Sequence, residues 1–373
     1  MNQIQRALFL SINSLFVAKY TARLGFNPCL TVLIYCLIIV FVFWLIDKKI
    51  KFVNNKNTKF LFLFLFIFLL SAILCLNYFI DPLKIQVDRW SAIHNFIHNL
   101  FQGIYPYSAH THLGGYGSPF PIWQFFHIPF YLLGNVGLAM FFSIFVLGIF
   151  LIWYFENYLQ VLIFFILLTI SPAFWYEVAV RSDLLYNFIY CYIVIAFLHK
   201  KNYSVQYHAL ALGVCCGLIL STRLSVLIPF AIYLLPGFLS SNLKNKTIFI
   251  LSSIFIFVFT FLPFIFWDFH SLLFFKYNPF VLQTRQGSII EVIILLSMIY
   301  YFSINWKNDL TLCFSFMAIT IVVFVSTTFF HRMVSENFAN NLFSSSFDIT
   351  YFSMALPFVI IALTTVRQKY SLK

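Results

Sequence analysis

Charge is what this chain has least of. Only 9% of its residues are Asp, Glu, Lys or Arg, against about a quarter in soluble domains, which excludes a globular enzyme dissolved in water. Acids are scarcer than bases, 11 against 23. No Gly-x-Gly-x-x-Gly run and no P-loop occurs, so the backbone cradles that hold nucleotide phosphates are missing. Neither Asp-x-Asp nor Glu-x-Asp is present, which leaves a carboxylate-held catalytic metal without support. The 7 cysteines contain no Cys-x-x-Cys and lie in or beside apolar runs; they indicate neither a disulfide framework nor a zinc site and read as small buried hydrophobes. The first apolar stretch, Ala7–Ala18, is interrupted by Ser11, Asn13 and Ser14 and has no small-residue cleavage motif, so no cleavable signal is expected.

Hydrocarbon fills the space that charge leaves. The chain is 62% hydrophobic, and many windows of roughly 17–20 residues carry no charge, enough to cross a bilayer core of about 30 Å. The expected fold is all-α: one polytopic transmembrane helical domain over residues 1–373 with about eleven spans. They are read near Leu30–Ile46, Phe60–Ile80, Phe125–Phe155, Leu159–Ser171, Leu184–Leu198, Tyr207–Leu220, Leu224–Leu239, Ile248–Trp267, Ile289–Ile304, Leu310–Phe330 and Ile349–Val366. Phe125–Phe155 is too long for one straight crossing and is expected to break at Gly134. Leu159–Ser171 is short enough to lean on neighbours or line a cavity. Leu8, Phe9, Ile12, Leu15 and Phe16 form an apolar face at helical spacing before the first span; an interfacial helix and a short crossing are both open for it.

Short-loop charges orient the spans. Lys48, Lys49, Lys51, Lys56, Lys59, Lys200, Lys201, Lys244, Lys246, Lys307, Arg367, Lys369 and Lys373 fall on one side of the alternation, and that side is expected to be cytoplasmic. The opposite side carries Lys84, Arg89, Arg181, Arg223, Lys276, Arg285 and Arg332, mostly Arg. A guanidinium binds phosphate oxygens in pairs where an ammonium is a point charge, so an anionic substrate is expected outside.

One extracytoplasmic loop, residues 81–124, is dense in reactive groups. Trp90, Ile93, Ile97, Leu100 and Phe101 recur at helical spacing and predict an amphipathic helix. Asp88 opens it, with two competing roles: an N-cap accepting backbone N–H groups, or a general base at the membrane surface. His94 and His98, at i and i+4, could share a metal, but sequence places no third ligand, and substrate-facing or interfacial histidines fit better. Pro106, Gly114, Gly115, Gly117, Pro119 and Pro121 then forbid a helix, leaving the rings of Tyr105 and Tyr107 to stack on sugar or pack on the membrane.

Asp88 after an outward-going span, the amphipathic helix, Gln102-Gly103-Ile104-Tyr105-Pro106-Tyr107, Ser118-Pro119-Phe120-Pro121 and Val180-Arg181-Ser182-Asp183 together resemble the GT-C class of integral membrane glycosyltransferases. The likeness is to the mannosyltransferase-like users of polyprenyl-phosphate sugars, and it covers roughly Val87 to Ser225. It implies a hexosyltransferase with a polyprenyl-phosphate-linked sugar donor, a glycan or lipid-linked acceptor, inversion at the anomeric carbon and Asp88 as base. The chain departs from the family pattern in placing an extra span and a Lys-rich loop before this Asp. No cofactor, metal or nucleic acid is expected; membrane lipids are. Arg181 and Asp183 stand at a span mouth, either paired with each other or facing the site. Arg223 lies at an outer turn with no acid nearby in sequence, placed to bind a lipid phosphate or to reach headgroups. His270, Lys276, Arg285, His331, Arg332 and Glu336 are further outer groups that sequence does not rank. Two other readings stand beside this one: an O-antigen-polymerase-like enzyme, and a membrane transporter or lipid flippase, the latter predicting mid-span charges and internal repeats.

Overall fold

The computed structural model describes residues 2–49, 55–284, 288–333, 337–344 and 347–365. Among them the chain is all-helical; the single sheet-like pairing is one antiparallel bridge between His110 and Tyr116. Helix is what so apolar a sequence must choose, because hydrocarbon offers no partners for backbone N–H and C=O groups and only a helix satisfies them within one segment.

Helices α1 (Asn2–Arg23) and α2 (Pro28–Lys49) form an antiparallel hairpin. Thr21 and Thr31 share a hydrogen bond of 2.8 Å at what we call the near end, and Arg6 grips both oxygens of Asp47 at the far end. With 22 residues, α1 is about 33 Å long and runs the full length of α2. Gln5, Phe9, Ile12, Phe16 and Lys19, at alternating spacings of three and four, are all buried. The N-terminal segment is therefore a helix of the bundle rather than an interfacial one, and its burial includes polar residues that the apolar face read from sequence did not contain.

Helix α3 (Asn55–Phe79) returns to the near end, where α4 (Arg89–Phe101) and the short α5 (Pro121–Phe126) and α6 (Ile128–Leu132) lie. The expected break at Gly134 is there, with φ at +88°, and α7 (Leu138–Phe155) then descends to the far end. Lys200 binds Glu156 there at 2.9 Å. The short segment at 159–171 proves to be half of a broken element: α8 (Tyr158–Thr169) and α9 (Pro172–Ala179) meet at a 69° bend. Then follow α10 (Leu184–Lys200), α11 (Val205–Leu220), α12 (Leu227–Ser240), α13 (Leu243–Leu273), the short α14 (Pro279–Thr284), α15 (Ile289–Asn305), α16 (Leu310–Arg332) and α17 (Phe338–Phe343). A 3-10 stretch, Ile349–Ala355, leads into α18 (Leu356–Thr365).

Large apolar side chains are exposed on the outer helices, while a few polar and charged ones are buried among the apolar core. Leu30, Leu33, Leu37, Phe41, Phe60, Phe64 and Ile67 are exposed on α2 and α3, while Gln124, His127, Glu177, Asp183 and Arg223 are buried. That distribution is expected of a chain solvated by hydrocarbon. Two cysteines follow the outer pattern: Cys29 and Cys75 are exposed, whereas Cys191, Cys216 and Cys313 are buried as expected.

The helices are compatible with a membrane protein, with fewer of full crossing length than the eleven runs read from sequence. Among the described residues 5 helices are long and apolar enough to cross a membrane, and 6 if the bent pair counts as one. Leu184–Lys200, Val205–Leu220, Leu224–Ser240, Ile289–Asn305 and Ile349–Thr365 are shorter apolar helices of 10–17 residues, or about 15–26 Å. These helices end within a few residues of the apolar runs read from sequence, so the runs locate them while leaving them shorter than a full crossing of about 30 Å.

The course of α1 can be tested by single-cysteine labelling in a background without the exposed Cys29 and Cys75. Gln3→Cys and Phe26→Cys should react with an impermeant thiol reagent from opposite faces of a sealed membrane. Labelling of both from one face would return α1 to the interface.

Candidate functional site

Asp88 occupies the N-cap position of α4, yet its side chain makes no cap hydrogen bond. Its Oδ2 instead accepts from Thr111 Oγ1 at 2.9 Å. The turn at 111–115 is built for this approach. Thr111 N–H donates to Gly115 O, and Gly115 N–H donates back to Thr111 Oγ1 at 3.0 Å. A Cβ on Gly115 would stand 3.1 Å from Asp88 Oδ2, and one on Gly117 would stand 3.1 Å from Ala92 O, so both glycines are there to let the loop close onto α4. His112 fastens the same loop from its other side, with Nδ1 at 2.8 Å from Ser91 Oγ and Nε2 at 2.9 Å from Ile85 O.

Asp88 lines a near-end cavity of about 480 Å³. Five basic side chains (Lys19, Arg23, Arg89, Arg223 and Arg332) and three carboxylates (Asp88, Asp183 and Asp348) share its wall with the rings of Tyr20, Tyr116, Tyr176 and Tyr351. Thus the structure brings together Asp88, Asp183 and Arg223 of the residues singled out from sequence. Lys19, Tyr20, Arg23, Arg89 and Asp348 were not singled out. The signal for the first three was the three-and-four spacing that continues from the buried face of α1; for Arg89 it was adjacency to Asp88.

The charges inside are ordered. Asp183, 1% exposed, accepts from Arg223 Nε at 3.0 Å, from the Arg223 terminal nitrogen at 2.5 Å and from Trp123 Nε1 at 2.7 Å, all on Oδ2. Its Oδ1 lies 3.9 Å from Arg89. Burial alone would raise its carboxyl, but the guanidinium groups of Arg223 and Arg89 outweigh it and hold it below the ordinary range. Arg89 also binds Asp348 at 2.6 Å and Thr350 at 3.0 Å and lies over the Tyr351 ring. Behind this layer His127 Nδ1 is 2.6 Å from Trp123 O, so that nitrogen carries the proton and Nε2 accepts from Tyr186. Burial pushes the His127 imidazole down to about 4, keeping it neutral.

Other expected site residues lie elsewhere. Arg181 does not pair with Asp183. Its backbone has a φ of +52°, and its guanidinium donates to the carbonyl oxygens of Asn77 at 2.5 Å and Ile80 at 2.6 Å, over Trp90. It is a cation at the C-terminal end of α3, where free carbonyls favour one. His94 stacks on Trp90, and His98 meets Tyr131 at 3.0 Å; both face α6 and neither lines the cavity. Burial, helped by neighbouring His98, lowers the His94 imidazole. Tyr107 is fully buried against Phe96 and Phe264, and Tyr105 packs with Trp267 and Tyr277. Of the unranked outer groups, Arg332 lines the cavity, His270, Lys276 and His331 do not, and Arg285 and Glu336 fall outside the described residues. No group of three His, Cys, Asp or Glu among the described residues could hold a metal ion.

Arg223→Ala would leave Asp183 buried with half of its compensation, a loss of about 3–5 kcal/mol, read as a lowered thermal midpoint of the purified protein. Asp183→Asn should recover part of that loss when added to Arg223→Ala. Because the Asp183 carboxyl is held low in the folded chain, the tie is complete above the unfolded carboxyl's pKa of about 3.9. It drains away only as pH falls through the lower folded value. A thermal midpoint untouched by Arg223→Ala would contradict the pairing. No protein family, curated protein or solved structure matches the chain.

Proposed function

We propose that this chain is an integral membrane glycosyltransferase that moves a hexosyl unit from a polyprenyl-phosphate donor to a hydroxyl of a glycan or lipid-linked acceptor, with Asp88 as general base. The observation that carries the reading is the direction of the Asp88 carboxylate. It stands where a helix cap belongs, spends no bond on capping, and opens onto a cavity walled by cations. Thr111 holds Oδ2, and Oδ1 has no hydrogen bond among the described residues. In the reaction the acceptor hydroxyl gives its proton to Asp88 while its oxygen bonds to the anomeric carbon. The carbon–oxygen bond to phosphate breaks with inversion, and the phosphate leaves with the electron pair. Preorganised cations favour that departure most where water is scarce. The cavity rings of Tyr20, Tyr116, Tyr176 and Tyr351 offer faces for a sugar, the part that sequence alone gave to Tyr105 and Tyr107.

The distribution of charge supports an extracytoplasmic site. The far end carries Arg6, Lys48, Lys56, Lys59, Lys200, Lys201, Lys244, Lys246 and Lys307, and a Lys-rich end is retained in the cytoplasm. Asp88 and its cavity then face outward.

Asp88→Asn keeps the shape and an acceptor for Thr111 but loses the basic oxygen. Transfer from a synthetic polyprenyl-phosphate sugar should fall roughly 10²–10⁴-fold with an unchanged thermal midpoint. Near-wild-type transfer would remove Asp88 from the chemistry. Sidedness has its own check: in intact cells an impermeant thiol reagent should label Phe26→Cys and spare Asn202→Cys, and the reverse pattern would place the site in the cytoplasm.

A further inference from the structure

Four of the five cavity cations divide into two sets. Arg223 and Arg89 are neutralised by Asp183 and Asp348. Lys19 and Arg23, one turn apart at the end of α1, are not: among the described residues their hydrogen-bond acceptors are carbonyl oxygens. Lys19 is 2% exposed, and its ammonium donates one bond, to Phe347 O at 2.7 Å. Arg23 donates to Phe343 O at 3.2 Å and Ser344 O at 2.9 Å and lies over Tyr20. Both line the cavity. Asp348, the nearest carboxylate, already serves Arg89 at 2.6 Å.

We infer that Lys19 and Arg23 form a phosphate-binding subsite at the α1 end of the cavity, and that it holds the phosphate of the donor. A buried ammonium with two of its three donors unspent has a strong demand for an anion. The dipole at the C-terminus of α1 favours positive charge there but supplies no acceptor for those donors. Carbonyl bonds to residues 343, 344 and 347 hold both side chains in place without neutralising them, which is the arrangement of a site waiting for charge. Arg223, placed by sequence to bind a lipid phosphate, is already charge-paired here: Asp183 accepts from its Nε and from one terminal nitrogen, so it does not bring the surplus charge that Lys19 and Arg23 bring. The assignment of the phosphate to a glycosyl donor rests on the transferase reading; the affinity for phosphate does not.

The test is a binding measurement on the purified full chain in detergent, with a short-chain isoprenyl phosphate, the matching isoprenol and inorganic phosphate as probes. Isoprenyl phosphate should bind the wild type, and Lys19→Gln and Arg23→Gln should each weaken it at least tenfold, while Lys19→Arg retains most of the affinity. Arg23 is exposed, so Arg23→Gln should fold normally and stands as the decisive variant if Lys19→Gln is unstable. A lipid-linked source predicts that isoprenyl phosphate outcompetes inorganic phosphate, with no Lys19- or Arg23-dependent binding of isoprenol. Equal binding of the two phosphates keeps the subsite and assigns it to soluble phosphate. Wild-type affinity in Arg23→Gln and in a folded Lys19 variant overturns the subsite. Residue-dependent phosphate binding without any glycosyl transfer would instead overturn the transferase reading and leave the subsite standing.

Discussion

One buried carboxylate ties the near end of the bundle together. Asp183 joins the start of α10 to Arg223 at the turn after α11, to Trp123 on α5 and to Arg89 at the start of α4. These segments are distant in sequence and have little regular structure of their own at this level. In a low-dielectric setting an unpaired member of such a group is costly, so each partner fixes the others. The placement of Asp88 follows, since it immediately precedes Arg89 and is carried to the cavity by the same anchor.

This tie also explains a division of labour among the cations. Arg223 and Arg89, which line the wall, are paired with carboxylates, and Arg181, outside the cavity, is held by helix-end carbonyls. Those that line the α1 side, Lys19 and Arg23, are oriented but not neutralised. The site thus has a rigid, charge-balanced floor beside a wall with surplus positive charge.

Much of this was legible in the sequence, and the exceptions share a cause. The all-helical fold and the break at Gly134 follow from apolar run length and turn chemistry. The course of α1 did not, because its buried face mixes Gln5, Asn13 and Lys19 with Phe9, Ile12 and Phe16. Looking for an apolar stripe assumes water outside; when the outside is hydrocarbon, polar side chains belong within. Sequence adjacency misled at Arg181, whose guanidinium donates to the carbonyl oxygens of Asn77 and Ile80 rather than to Asp183. The i and i+4 pair His94 and His98 did fall on one helix face, but that face meets Tyr131.

The unequal lengths of the helices have a consequence for the surrounding lipid. Helix α13 is continuous from Leu243 to its kink at Asp268, and α11 only beyond its kink at His208, or about 37 Å against 18 Å at 1.5 Å per residue, around a hydrocarbon thickness of about 30 Å. In a bilayer, the long helix must tilt or project, while the short ones draw the headgroup plane inward. The resulting dimple on the near side would lower phosphate headgroups toward the level of the cavity. A lipid-borne substrate would then have less distance to climb out of the hydrocarbon than at an undistorted surface.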